Sequence, residues 1–415
     1  MKRSVHVCAA TALTLLSAIS FDVWAESQGP DPAVGVSVPP TVQASAPPAL
    51  QPSIATTLSA NTEAASFNPG GLGPIYVTGV ASGLAQVQSK ALPSDRSRQL
   101  DIGNAQVFIN KPDGLLQFFL QGGYYSIPML GAPYIRSADA SPTFFGPVAQ
   151  GFLKIAPTEN FSVLVGKLPT LIGAESTFSF QNMNIQRGLL WNQENAVNRG
   201  AQVNYAAGPL TLAASVNDGF YSNQYSWVSM LTSYAFDSAN TLAVIAGGNT
   251  SRTNVSTTAT PLFYSNQQIY NLIYTHTEGP WTFQPYLQYT RVPKLVQFGA
   301  YESASTYGGA LLMSYDFGAE AVPAALRAVG FKLPVRLEYI GSTGSATGGA
   351  PNLLYGPGSA AWSFTVTPTY QYKRVFARAE FSYVGARKTA PGLAFGTDGN
   401  NRSQVRGLLE VGLLL

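Results

Sequence analysis

From Ala361 to Gly385 apolar and polar residues alternate one by one. Trp362, Phe364, Val366, Tyr370 and Tyr372 interleave with Ser363, Thr365, Thr367, Thr369 and Gln371. After a bend at Lys373-Arg374, Val375, Ala377, Ala379, Phe381 and Tyr383 interleave with Arg378, Glu380 and Ser382. Successive side chains of a strand point to opposite faces, so a period of two predicts strands with one apolar and one polar face. The pattern recurs in segments of about ten residues, the length a tilted strand needs to cross a bilayer.

Sixteen such strands are predicted. They lie near Ile75 to Gln88, Asp101 to Asn110, Leu115 to Ser126, Val148 to Ala156, Phe161 to Lys167, Gly200 to Tyr205, Leu210 to Asn217 and Trp227 to Phe236. The second half continues with Thr241 to Asn249, Gln268 to His276, Trp281 to Arg291, Thr306 to Phe317, Lys332 to Ile340, Trp362 to Tyr372, Val375 to Val384 and Gln404 to Leu415. Short tetrads such as Lys111 to Gly114, Pro157 to Asn160 and Thr277 to Pro280 are rich in turn formers and alternate with eight longer connections. Short turns at one end and long loops at the other are the mark of a transmembrane antiparallel β-barrel. One short-side connection, Ala319 to Val329, is expected to form a short amphipathic helix at the rim.

The amino terminus places the chain in an envelope. Lys2-Arg3 precede an apolar run from Val7 to Phe21, and Val23-Trp24-Ala25 closes it with a small-residue cleavage site. This predicts a signal peptide over 1–25, cleaved near Ala25, that carries away the only cysteine, Cys8. Cys8 lacks the preceding residues of a lipoprotein site. Residues 26–72 are Ala, Pro, Ser and Val with almost no charge, which predicts a disordered periplasmic tether; the barrel is expected over 73–415.

Charged residues make up 11% of the chain and aromatics 12%, yet no uncharged apolar run beyond the signal is long enough for a spanning helix. Lipid cannot hydrogen-bond to an open backbone, so a closed barrel is the remaining way across. The expected location is the outer membrane of a Gram-negative bacterium. Aromatic belts are expected near the tight turns at Tyr76, Phe161, Tyr205, Phe236, Trp281, Phe317, Phe331 and Tyr372. The last strand, with Val405, Gly407, Leu409, Val411, Leu413 and Leu415 on one face, suits recognition by barrel-assembly machinery, although it ends on Leu rather than an aromatic residue.

The run Gly166-Lys167-Leu168-Pro169-Thr170-Leu171-Ile172-Gly173-Ala174-Glu175, with Asn184 to Leu190 and Arg199-Gly200, resembles the central segment of the OmpL-like β-barrel porins. The resemblance covers Gly73 to Leu415 and implies a bacterial outer-membrane pore for small solutes. It supplies no substrate.

Charged residues within the apolar bands must face the lumen, because Arg or Lys facing lipid at the midplane costs about 2–4 kcal/mol. They are Lys154, Lys167, Arg336, Glu338, Arg378, Glu380, Arg406 and Glu410. The longest loop, 169–198, carries Glu175, Arg187, Glu194 and Arg199 among Phe178, Phe180 and Trp191. It is the third long loop; by resemblance in position to general porins it is expected to fold inward, setting acidic loop groups across the aperture from basic wall groups. Five basic and three acidic lumen residues suggest a weak anion preference.

The function expected is passive diffusion of small hydrophilic solutes through a water-filled channel. A substrate-specific channel is the nearer alternative; aromatics up the lumen would favour sugars, whereas the polar faces read mostly as Ser, Thr, Asn and Gln. A structural or adhesive barrel is a third class. Enzymatic function ranks last, since the mature chain keeps one histidine, His276, with only Ser215 or Ser314 to pair with it. No catalytic, metal or cofactor residues are assigned. Outer-membrane lipid and small solutes are the expected partners, a homotrimer is one arrangement compatible with sixteen strands, and nothing suggests nucleic acid.

Overall fold

The computed structural model describes residues 57–61, 63–93, 95–252 and 263–415. The signal peptide and most of the tether expected from the sequence therefore lie outside the described residues. Sixteen antiparallel strands close into a barrel. In chain order they are β1 (Ile75–Gln88), β2 (Arg98–Lys111), β3 (Leu116–Tyr125), β4 (Val148–Thr158), β5 (Phe161–Pro169), β6 (Val197–Ala207), β7 (Leu210–Asn217) and β8 (Trp227–Ala235). They continue as β9 (Asn240–Asn249), β10 (Gln268–Glu278), β11 (Trp281–Val292), β12 (Ala304–Asp316), β13 (Phe331–Ser342), β14 (Ala360–Val366 with Thr369–Tyr372), β15 (Val375–Arg387) and β16 (Ser403–Leu414). Each pairs with the next. The wall closes where β16 meets β1, with Arg406 opposite Gln88 and Leu414 opposite Val80.

Every predicted strand is present, with ends displaced by at most three residues. The break in β14 falls where Thr367-Pro368 runs beside Pro334, and two prolines without N–H groups interrupt the ladder. Pairing resumes in the same register, so the two pieces are one wall strand.

The faces divide as the alternation requires. Trp362 and Phe381 are exposed outward, whereas Ser363, Thr365 and Thr367 are buried inward. Outward rings pack edge to face at the tight-turn end, Trp281 on Tyr315 at 4.6 Å and Tyr315 on Phe317 at 4.7 Å. A second belt sits nearer the long loops, where Tyr270 lies opposite Tyr289 and Tyr289 opposite Tyr307. Trp281 and Tyr289 are eight residues apart on one strand, about 27 Å at roughly 3.4 Å per residue. Tilt shortens this to about 20 Å, close to the apolar height such barrels present to lipid.

Two expectations need correction. The helix expected over Ala319 to Val329 is a single 3-10 turn at Ala324–Leu326. Pro323 immediately precedes it, and the Arg327 guanidinium takes the carbonyls of Glu320 and Val322 that a longer helix would use. The featureless tether also ends earlier than Leu72. Ala65–Phe67 pairs with the start of β1, and Leu58 is buried in a cluster containing the inward side chains Val80, Phe376 and Leu414. The Gln371 side chain exchanges two 2.8 Å hydrogen bonds with the Ser59 backbone, and Arg374 meets Glu63 at 2.8 Å.

Candidate functional site

The inward faces of β13, β15 and β16 each carry an Arg and a Glu two or four residues apart, so the pairs project into the lumen on one wall. Arg336 and Glu338 stand on β13, Arg378 and Glu380 on β15, and Arg406 and Glu410 on β16. The loop 170–196 lies against them inside the barrel. Its backbone and side chains answer nearly every charge.

Three staples hold it. Arg336 donates to Glu175 at 2.5 Å and to the Gln186 carbonyl at 2.8 Å, and its Nε lies 3.2 Å from Glu338. Glu380 accepts from the backbone N–H groups of Ile185 and Gln186, at 2.5 and 3.2 Å, and from the Gln186 amide at 2.8 Å. Arg378 donates to the carbonyls of Ser179, Asn182 and Met183 at 2.9–3.0 Å and lies 3.3 Å from Glu410, which also accepts from Ser179 and Ser82. Arg336, Arg378 and Arg187 are 0% exposed. Buried charges of this kind are costly unless paired and hydrogen-bonded; Arg336 and Arg378 are so held, whereas Arg187 has no ion pair among the described residues and donates to the Ile185 carbonyl at 3.5 Å.

A second loop, 126–147, supports the first. In a parallel bridge the Leu130 N–H donates to the Arg187 carbonyl and the Arg187 N–H to the Pro128 carbonyl, each at 3.0 Å, and Arg406 reaches the carbonyls of Met129 and Ala132 at 2.7 and 2.6 Å. Gly188 passes so close to the wall that a Cβ there would fall 2.0 Å from Glu338 and 2.8 Å from Glu175. A side chain there would have to displace one of these two carboxylates.

The geometry revises the sequence assignment in four places. Glu175 is not set across an aperture from the basic wall; it is in direct contact with Arg336. Glu194 bonds the hydroxyl of Tyr286 on β11. Arg199 and Lys167 are opposite one another on β6 and β5, in register with outward Val165 and Ala201 two positions away, so both stand on the outer face. There Arg199 pairs with Asp218 at 2.8 Å and lies 4.0 Å from the Tyr221 ring, and the Lys167 ammonium caps the Phe145 and Val148 carbonyls. At the long-loop rim a cation does not meet the hydrocarbon midplane, which is why the rule used to place them inside fails.

The fourth revision concerns aromatics. An inward series runs Phe152, Phe119, Phe108, Phe180, Phe178, Tyr125, with successive ring centroids 5.6, 6.2, 5.7, 6.0 and 5.1 Å apart. The first three come from adjacent strands with aromatic or large apolar residues on both faces, and the next two come from the loop. Period-two reading cannot resolve either case. These rings are packed on each other and serve as the apolar counterpart of the ionic staples.

Lys154 lies on the inward face of β4, half-buried, without an ion pair among the described residues. It borders a cavity of about 400 Å³ at the tight-turn end of the lumen with Lys111, Asn110, Gln202 and Asn204, and no carboxylate lines this space. His276 hydrogen-bonds Asn240 at 2.8 Å and lies 3.7 Å from Glu278 at a tight turn. Ser215 accepts instead from Asn217.

A family model described as "Putative beta-barrel porin-2, OmpL-like" matches residues 74–415. No curated protein matches the sequence. Among solved structures, the chain is similar to an anion-selective porin from Comamonas acidovorans, with 10% identity, a TM-score of 0.55, and coverage of 82% of this chain and 99% of that one. It is also similar to OmpT, an outer membrane protein of Vibrio cholerae, with 10% identity, a TM-score of 0.54, and coverage of 85% and 100%. The outer membrane channel DcaP of Acinetobacter baumannii gives 10% identity, a TM-score of 0.53, and coverage of 82% and 97%. Identities this low carry the fold alone.

Proposed function

Because the chain belongs to the OmpL-like family of β-barrel porins, we propose that it is a non-enzymatic outer-membrane channel for small hydrophilic solutes, narrowed by the loop 170–196. The observation that carries this reading is the ionic and apolar fastening of that loop to one wall. A sixteen-strand barrel is wide enough for an aqueous lumen. Here the loop also meets β10 at Asn271, β11 at Tyr286 and β2 at Asn104, which narrows that lumen.

Selectivity follows from which charges remain uncompensated. Arg336 is matched by Glu175 and Glu338, Arg378 by Glu410 and Arg406 by Asp95 at 3.8 Å, so they contribute little field to the passage. Lys154 is left without an ion pair among the described residues, with amides on one side and Asp113 and Glu159 lining the neighbouring space. A weak anion preference therefore rests on Lys154, not on the arginine ladder. The comparison with an anion-selective porin is consistent with this but belongs to that protein. The purified protein in a planar bilayer under a salt gradient should give a reversal potential on the anion side, and Lys154→Glu should move it toward cations, most at low ionic strength. Absence of any conductance from correctly inserted protein would overturn the channel; a reversal potential indifferent to Lys154 would overturn the selectivity.

A further inference from the structure

At the long-loop end, above the stapled loop, lies a cavity of about 300 Å³. Its walls are apolar and come from four separate connections, with Met129, Phe144, Phe220, Tyr264 and Leu354 among them. The floor is polar and comes from one short 3-10 turn, Trp191–Gln193. That turn concentrates unanswered hydrogen-bonding capacity. Trp191 Nε1, Asn192 Oδ1 and Gln193 Oε1 are each buried without a partner among the described residues. Trp191 is 6% and Gln193 1% exposed.

The amide orientations are fixed by what the other ends touch. Asn192 Nδ2 donates to the Leu130 carbonyl at 2.8 Å, and Gln193 Nε2 to the Leu353 carbonyl at 2.9 Å. A flipped amide would set oxygen against oxygen, so Oδ1 and Oε1 are the free ends and both are acceptors. One donor and two acceptors with unused capacity thus belong to the single turn that lines this apolar enclosure. Buried polar atoms are normally satisfied, and a cavity of this size with apolar walls and a few convergent polar groups is the usual form of a ligand site. Glu194 is the sole charged residue on the lining; its Oε1 accepts from Tyr286, and its Oε2 is buried without a partner among the described residues. No cation lines the space.

We propose that this vestibule is a solute-binding site for uncharged amphipathic molecules, an aromatic or alicyclic body carrying hydroxyl donors, held above the narrowed passage. The inference rests on the channel reading in that the site lies on the route of entry. The apolar body fills the walls; hydroxyls donate to Asn192 Oδ1 and Gln193 Oε1; one ligand oxygen accepts from Trp191 Nε1. Anions are disfavoured because no basic group is available to replace their water.

Calorimetric titration of the detergent-folded full barrel separates these terms with three probes. Phenyl β-D-glucoside has both the ring and the hydroxyls, glucose lacks the ring, and benzoate has a ring and a charge. The first should bind at least tenfold more tightly than either of the others. Trp191→Phe, which keeps a ring but removes the donor, should weaken it about tenfold. Leu354→Trp, which fills the cavity from its half-buried rim, should abolish it. Equal affinity for glucose or benzoate, or wild-type affinity in Leu354→Trp, would overturn the proposal. Bilayer recordings keep the two readings apart: conductance without glucoside binding removes the site and leaves the channel, whereas glucoside binding without conductance removes the channel and leaves the site.

Discussion

Phe381 and Thr367 have opposite fates because one faces lipid and the other the loop. Phe381 is 47% exposed on the outer wall, and Thr367 is 0% exposed, donating to Glu380 and accepting from Asn184. Phe381→Arg should cost about 2–4 kcal/mol and lower the folded fraction on heat-modifiability gels. Thr367→Arg should still assemble, since its new charge meets Glu380, but it displaces Asn184 and should change single-channel conductance. Gly188→Ala is the sharper probe of the loop. A methyl group there must move Glu338 or Glu175, and both are bonded to Arg336. The barrel should fold normally by circular dichroism while proteolysis of the loop accelerates. Arg378→Ala should act likewise, since breaking a buried ion pair costs about 3–5 kcal/mol.

Among elements, the wall was legible and the loop only partly so. Period two, turn tetrads and even strand count depend on neighbours in sequence, and they located every strand. The positions of the loop charges depend on which wall residue they meet some 150 to 230 positions away, as with Arg336 and Gln186 or Ser179 and Glu410. Sequence reading placed Glu175, Arg187 and Glu194 in the lumen but set Glu175 across open space from its partner. It had no signal for the 2.9 Å bond from Asn104 to Ser179, whose small polar side chains look like any others on a polar face, or for the carbonyls of loop 126–147, because backbone groups carry no residue code. Deleting Ser176 to Asn192 removes most of the fastening residues together. Single-channel conductance of the deletion should rise severalfold if the loop sets the narrowest section; an unchanged value would move that section elsewhere.

For the whole molecule, alternating short and long connections divide the barrel into two ends, and the expected orientation puts the long loops outside the cell. Cysteines introduced at Asn223 and Gly348 should then react with an impermeant maleimide on intact cells, whereas those at Asp113 and Asn240 should not. Labelling of the turn positions would invert the topology. The fold class was readable because closure is forced by physics: unpaired strand edges cannot face hydrocarbon. The vestibule was not, since its walls come from four connections that no local pattern joins.

The seam between β16 and β1 joins residues more than 300 positions apart. Its importance is one of timing. Fifteen strands can zip to their neighbours by local pairing, but the cylinder acquires its last ladder only when the final strand finds the first, a search whose entropic cost grows with the span it closes. Until that moment two rows of open backbone groups are present, a template for pairing with another chain. A weakened β16 would therefore register first as slow, aggregation-prone assembly, and only later, if at all, as a less stable finished barrel.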